Sequence, residues 1–417
     1  MNAAKPSLIE IMRKSTPDGA YLFASAEEIR AAIAAGADVN EQDSNGCTPM
    51  VLASTSAYDA EILRLLIEAG ADIHHRNPLL WKTIFRHTEA VRVLIEAGAD
   101  VNDDTGYYVK MPPIVAATSM EADFDYDGSE IPDSTEIVRM LIEAGADVNA
   151  LDYQDATALF RALEYGYEES ARMLLAAGAN VHTRDEDGQS TLIAAAYRCS
   201  AELVQILLDA GVDIHACDSM GNNALLEAAK GGNLPAIHLL LERGADIHAI
   251  DMWGRNALMR AAEGHLNPLP TIAFLLSLGF DINAHDNDGW TALHVAVDAY
   301  YSKKVVRALL EAGADIEARD AKGNAPIHLA AQKYYVENLC ELIASGANIE
   351  LRNAEGCTPL MMAAQQDYTP PLKTLLESGA DIHAHNSAGL TALQLARKYT
   401  PLREEIIEML EAYTADK

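Results

Sequence analysis

The chain has 417 residues, with 62 acidic side chains against 31 basic ones and a formal net charge of −31. That balance repels phosphate and disfavours nucleic acid as a partner, while 49% apolar content with dispersed charge argues against a disordered chain. No apolar run reaches the ~18 residues of a membrane span, "MNAAKPSLIEIMRKST" predicts no secretory leader, and five scattered cysteines predict reduced thiols in a cytoplasmic protein.

The first predicted element is a short helix over "SLIEIMRK" (7–14), part of an N-terminal capping segment, 1–19. The string "AGADVN" or a close variant then recurs, with its glycine at 36, 70, 98, 145, 178, 211, 244, 279, 313, 346 and 379. Nearly constant spacing of this kind marks a repeat array over 20–400, in which no unit has a core of its own and stacking supplies one. "TEIVRMLIEAG" shows the first half of the unit. Ile137, Val138, Leu141 and Ile142 share one helical face, away from Glu136, Arg139 and Glu143. Gly145 ends that helix, because glycine enters the left-handed region without steric penalty. A turn of the form Asp-x-x-Gly follows, as in Asp185 to Gly188, and then a new helix, the first of the next pair, opened by residues such as Thr358 as cap and Pro359 in its first turn. These helices are short and alanine-rich, so neighbours approach closely.

Two stretches break the period. "HHRNPLLWKTIFRH" (74–87) replaces a finger, and an acidic insertion (120–133) lengthens the turn between two helices, the second beginning near Thr135 with Asp133 as cap. The last element, "PLREEIIEMLEAY" (401–413), reads as a capping helix followed by a tail to residue 417.

These residues resemble the ankyrin repeat family. The match is clearest in "GFDINAHDNDGWTALHVAV" (279–297) and "GADIEARDAKGNAPIHLAA" (313–331), and it covers about residues 20–413. The resemblance implies an all-α solenoid of about twelve helix pairs with β-hairpin fingers, forming a single domain over 1–417. It also implies a non-enzymatic module that binds a protein on the concave face formed by fingers and first helices.

Histidine fills one repeat position at His74, His182, His215, His248 and His383. Stacked elements ~8–10 Å apart do not let neighbours share an ion held at ~2 Å. The resemblance puts asparagine there, as at Asn40, Asn102, Asn149 and Asn283, bonding the turn, and a structural role is expected for the histidines too. His383 and His385 alone make too small a ligand set. His294 and His328 match a position that braces adjacent repeats. Cys47 and Cys357 read as variable surface positions. No catalytic motif is present, and no cofactor or metal is expected.

One alternative reading is a calcium loop in the insertion. Asp123, Asp125 and Asp127 stand at its first, third and fifth positions, with Gly128 sixth and the Ser129 carbonyl next, but Ser134 replaces the closing glutamate.

The stronger signal is aromatic. Finger tips and first-helix ends carry Tyr153, Tyr165, Tyr197, Met252, Trp253, Trp290, Tyr300, Tyr301, Tyr334 and Tyr335, interleaved with Arg198 and Arg255. Such residues dominate binding hot spots. Nine aspartates after a Gly-Ala-type pair and seven at turns make the acidity partly architectural. The remainder suits a basic protein partner, recruited by a chain that is monomeric on its own. A further alternative is an inhibitor of immunity or antitoxin type, masking a basic toxin or nuclease.

Overall fold

The computed structural model describes residues 5–13, 24–56, 58, 60–105, 110–119, 134–264, 266–299, 303–399 and 404–415. Among these lie 24 short helices and no strand, so the fold is all-α with twelve consecutive helix pairs. Two compact units emerge, one of residues 1–195 with 202–212 and one of 196–201 with 213–417.

In the first unit, the helices Pro49–Thr55, Pro78–Ile84, Pro113–Ala116 and Ala158–Tyr165 pack one on the next. Their partners Ala60–Glu68, Thr88–Glu96, Thr135–Glu143 and Glu168–Ala176 form a second row. In the second unit the first-helix row is Ala224–Lys230, Ala257–Glu263, Ala292–Asp298, Pro326–Ala330, Pro359–Ala363 and Ala392–Tyr399. Small residues at the contact, such as Ala228, Ala229, Ala261 and Ala262, are buried and let backbones close up. The helix Thr135–Glu143 buries Ile137, Val138, Met140 and Leu141. Met140 takes the place expected for Ile142, which is only half-buried.

Local chemistry sets the helix limits. Gly145 has φ +87° just beyond the Ala144 cap. The Thr358 hydroxyl accepts the Met361 N–H at 3.4 Å, with Pro359 in the first turn. The end helices are Leu8–Met12 and Glu404–Ala415. Ser134 is the residue preceding Thr135–Glu143, whereas Asp133 lies outside the described residues.

The expected hairpins take the form of tight turns. Only isolated antiparallel bridges occur among the described residues, at Thr105 with Lys110, Leu151 with Thr157 and Arg184 with Ser190. A side-chain carboxylate captures the turn N–H groups that a two-stranded ladder would otherwise use, so each finger closes on itself.

Residues 74–87 differ. Arg76, Asn77 and Arg86 adopt positive φ of 58°, 48° and 53° without being glycine, a conformation that the surroundings must impose. The His75 Nε2–H donates to the Gly46 carbonyl at 2.9 Å, and Arg76 reaches the Asn45 carbonyl at 2.5 Å. Asn77 caps the next helix by accepting the Leu80 N–H at 3.0 Å. Lys82 is fully buried, its Nζ donating to the carbonyls of Ser56 at 2.9 Å and Tyr58 at 3.0 Å and to His87 Nδ1 at 3.1 Å.

Candidate partner-binding surface

Each regular finger is closed by one acidic or amide side chain. Asp251 Oδ1 accepts the N–H groups of Trp253 at 3.0 Å and Arg255 at 2.9 Å. Asp286 does the same for Asp288 at 3.0 Å and Trp290 at 2.8 Å, and Asp320 for Lys322 at 2.9 Å and Asn324 at 2.7 Å. Fingers are then joined largely through main-chain bonds. Met252 N–H donates to the Met220 carbonyl, Asn287 N–H to that of Trp253 and Ala321 N–H to that of Asp288, each at 2.8 Å. Much of the acidity is therefore committed to turns. Among the tips, the Asn287 amide reinforces the ladder by donating to the Met252 carbonyl at 3.1 Å, while the Met252 and Trp253 side chains stay outside it.

Those tips are apolar and open. Met220 is 46% exposed, Met252 59% and Trp253 37%. The Arg255 guanidinium lies 6.0 Å from the Trp253 ring and 5.8 Å from the Trp290 ring, within cation–π range of both. Its Nε faces Asp286 at 3.4 Å and Nη1 faces Glu263 at 3.7 Å. Trp290 is half-buried and stacks on His294 at 6.3 Å, so it serves the fold on one face and the surface on the other. The ion pairs continue inward, from Glu263 to Arg260 at 3.0 Å and from Arg260 to Glu227 at 2.6 Å.

The other predicted residues fall into separate places. Tyr334 and Tyr335 pack edge-on at 5.3 Å, and Tyr368 joins them 5.6 Å from Tyr334. Beside them Lys303, Lys304, Lys333 and Tyr335 line a cavity of about 370 Å³, a local basic spot, with Lys333 paired to Asp298 at 2.6 Å. Arg198 lies 5.2 Å from the Tyr197 ring at a helix end. In the first unit, Tyr153 is exposed and Tyr165 sits 6.2 Å from Tyr167. Tyr300, Tyr301 and the calcium-loop candidates Asp123, Asp125, Asp127 and Ser129 lie outside the described residues. Sequence reasoning missed Met220, Ile250, Tyr368 and the Trp81–Phe85 stack at 6.1 Å. A methionine or isoleucine reads as core until its position on a finger is known.

The histidines divide. His294 Nδ1 accepts the Thr291 N–H at 3.2 Å, and its Nε2–H donates to the Asn324 carbonyl of the next repeat at 3.2 Å. His328 accepts from Ala325 at 3.1 Å and donates to Leu351 at 2.9 Å. Burial pushes both imidazoles below the ordinary histidine range. The asparagines at the ladder position clasp the following turn, as Asn40 does by donating to the Gly70 carbonyl at 3.0 Å and accepting from Asp72 N–H at 2.8 Å. The five histidines there do not reproduce that clasp. What they share with the asparagines is the main-chain bond within the turn, as when His248 N–H donates to Asp246 and Asn40 N–H to Asp38, each at 2.9 Å. Cys357 is also corrected. It is buried beneath the brace, its carbonyl 3.2 Å from His328 Nε2, and burial raises its thiol above the ordinary range. All five cysteines are free. Among the described residues no three His, Cys, Asp or Glu side chains gather to hold a metal ion.

Comparison with known families gives one answer along the chain. A model of ankyrin repeats in three copies matches residues 20–105, 131–185, 172–251, 248–320 and 322–417. The chain belongs to the ankyrin repeat family. The break between 105 and 131 contains most of the acidic insertion. Ankyrin repeats are protein–protein interaction modules, so the coarse function is binding of a protein partner. No curated protein matches this ankyrin chain. No helix among the described residues is long and apolar enough to cross a membrane.

Proposed function

We propose that this ankyrin protein is a non-enzymatic binder of a basic protein partner, anchored on Trp253, Arg255, Trp290 and Met252. The observation that supports this most directly is the Arg255 guanidinium set against two indoles from adjacent fingers, 6.0 and 5.8 Å from their rings. Rigid aromatic and arginine groups bury much area with little loss of rotamer freedom. The ladder holds these tips from beneath through main-chain atoms, so their side chains remain available. Asp286, Glu263 and Glu227 lie next to the cluster, and a net charge of −31 steers a basic surface toward it. A reducing intracellular compartment suits the five free thiols.

Affinity capture from native host extract, followed by titration of the recovered protein, tests this. Wild type should retain a basic protein whose affinity falls as salt is raised. Trp253→Ala/Trp290→Ala should weaken it roughly 30-fold or more, the scale of a central hot spot. Equal retention by the double variant would remove the finger cluster from the interface. Suppression of an enzymatic activity in the captured partner would mark the chain as an inhibitor rather than a scaffold.

A further inference from the structure

The same constellation occurs twice in the chain and is closed in one place and open in the other. Asp152 and Arg161 are nine residues apart, as are Asp251 and Arg260, each pair linking a finger turn to the helix after it. In the first unit, Asp152 Oδ1 holds the turn through Gln154 at 2.8 Å and Ala156 at 3.0 Å. Its Oδ2 accepts from Arg161 Nε at 3.0 Å and Nη2 at 2.8 Å. In the second unit, Asp251 Oδ1 holds its turn in the same way, but Arg260 has turned elsewhere. Its Nη2 donates to Glu227 of the preceding repeat at 2.6 Å and its Nη1 to Glu263 at 3.0 Å. Asp251 Oδ2 and Arg260 Nε are left buried without a hydrogen-bond partner, on residues that are each 4% exposed.

The cause is visible in the neighbouring repeat. The residue equivalent to Glu227 in the repeat before Arg161 is Ala116, which is buried and uncharged. Arg161 meets no competing acid there and closes on its own aspartate, held also by Gln154 Oε1 at 2.7 Å, whereas Arg260, with Trp253 in place of that amide, is drawn off by Glu227. Asp43 Oδ2 also lacks a hydrogen bond but has the Arg13 guanidinium at 2.6 Å, and three further finger aspartates are satisfied at the second oxygen. Asp218 and Asp320 accept from the amides of Asn222 and Asn324 at 2.9 and 3.1 Å, and Asp286 accepts from Arg255 at 3.4 Å.

Two complementary buried orphans on a pair that closes elsewhere in the same chain describe a second rotamer state in waiting, because unmet buried donors and acceptors are costly. We infer that Glu227 is a docking point for a lysine or arginine side chain of the partner, uncovered when Arg260 turns back from Glu227 to Asp251. This rests on the basic-partner reading above and gives that surface a specific acceptor. The incoming cation replaces Arg260 at Glu227, Arg260 satisfies both orphans at once, and the number of buried ion pairs is kept. Glu227 connects through Arg260 and Glu263 to Arg255 and its two indoles, so cation and aromatic contacts belong to one surface.

The turn of Arg260 is tested first in the free full-length chain. Glu227→Gln removes its present partner, and the Arg260 Nε–H resonance, assigned with Arg260→Lys, should then shift toward that of Arg161. Asp251→Asn should lower the folded-to-unfolded ratio roughly tenfold more in the Glu227→Gln background than in wild type, since only there is Asp251 an ion-pair partner. Additive effects with an unmoved resonance overturn the inference. Glu227→Ala serves as the second background if the glutamine variant fails to fold.

Docking is tested with N-acetyl-tetra-arginine amide as probe and a tetra-glutamate peptide as control. The arginine peptide should move the same wild-type resonance and bind roughly tenfold more weakly to Asp251→Asn, while Asp152→Asn leaves binding unchanged. If the peptide binds and is lost with Trp253→Ala/Trp290→Ala, but Glu227→Gln and Asp251→Asn are silent, the docking point is wrong and the aromatic surface stands. If no arginine peptide binds although the double-variant coupling is present, the rotation exists but Glu227 is not a receptor for basic side chains, and the inference again falls.

Discussion

Residues 74–87 and the fingers at 251–255 and 286–290 each lead the chain into the next helix pair, using different atoms. In the irregular segment, side chains substitute for a missing finger. His75 and Arg76 bond the Gly46 and Asn45 carbonyls, Asn77 caps a helix, and Lys82 fills a position that is alanine in other repeats. In the regular segment one carboxylate closes each turn and main-chain bonds join the turns. The first arrangement uses up its polar side chains in folding. The second leaves Met252 and Trp253 uncommitted, and recognition is expected where folding makes the fewest demands on side chains.

The largest effect that would break this contrast is expected at Lys82. Lys82→Met strands the buried Ser56 and Tyr58 carbonyls and should cost about 3 kcal/mol in urea denaturation, with no change in partner affinity. A cost below about 1 kcal/mol would show that the lysine is not a structural replacement for the finger.

The same substitution at two turn glycines sharpens the contrast. Gly289 has φ +79°, and an added Cβ would lie 2.8 Å from the Ala321 backbone nitrogen. Gly46 has φ +74°, but its Cβ would meet only the Arg76 side-chain end, at 3.1 Å. Left-handed strain is common to both, about 1–2 kcal/mol. Gly289→Ala should therefore cost roughly 1 kcal/mol more than Gly46→Ala, because a ladder of main-chain atoms cannot step aside as a side chain does. Equal costs in denaturant would mean the fingers are not rigidly stacked.

The smallest effect is set by pH. His294 and His328 brace the regular repeats in the neutral form, with native pKa values held below those of the unfolded chain. Unfolding therefore takes up protons as the medium is acidified. The stability they confer is complete above about pH 6.5 and is lost as pH falls through the native values, at no more than about 1.4 kcal/mol per pH unit for each. Comparing urea midpoints at pH 7.5 and 5.5 should show a drop in wild type that is shallower in His294→Gln. An unchanged pH dependence would take His294 out of the titration.

Repetition made the fold legible. Twelve helix pairs, the glycine after each second helix and the Asp-x-x-Gly turn all follow from short-range rules applied many times, and a local rule repeated is hard to misread. What escaped depends on neighbours in the next repeat. Whether the side chain at the ladder position reaches the following turn depends on the next repeat, and Asn40 bonds Gly70 and Asp72 there. Cys357 looked like a surface residue because its finger position does not reveal that it is buried, with its carbonyl bonded by His328 of the preceding repeat. Arg260 and Arg161 stand at the same repeat position, but Glu227 against Ala116 one repeat away and Trp253 against Gln154 in the finger send them to different partners. The tip cluster was partly legible, since tryptophan and arginine announce themselves, whereas Met220 did not.

The finger ladder has a consequence for redesign. Because Met220, Met252, Trp253 and Asp288 enter it only through main-chain N–H and carbonyl groups, the ladder is indifferent to the side chains at these four tips, whereas Asn287 adds its amide to the Met252 carbonyl. Those tips are replaceable cassettes. A library varied at 220, 252, 253 and 288 keeps the closing carboxylates and the turn glycines and offers a four-position surface that can be retargeted without resolving the fold again.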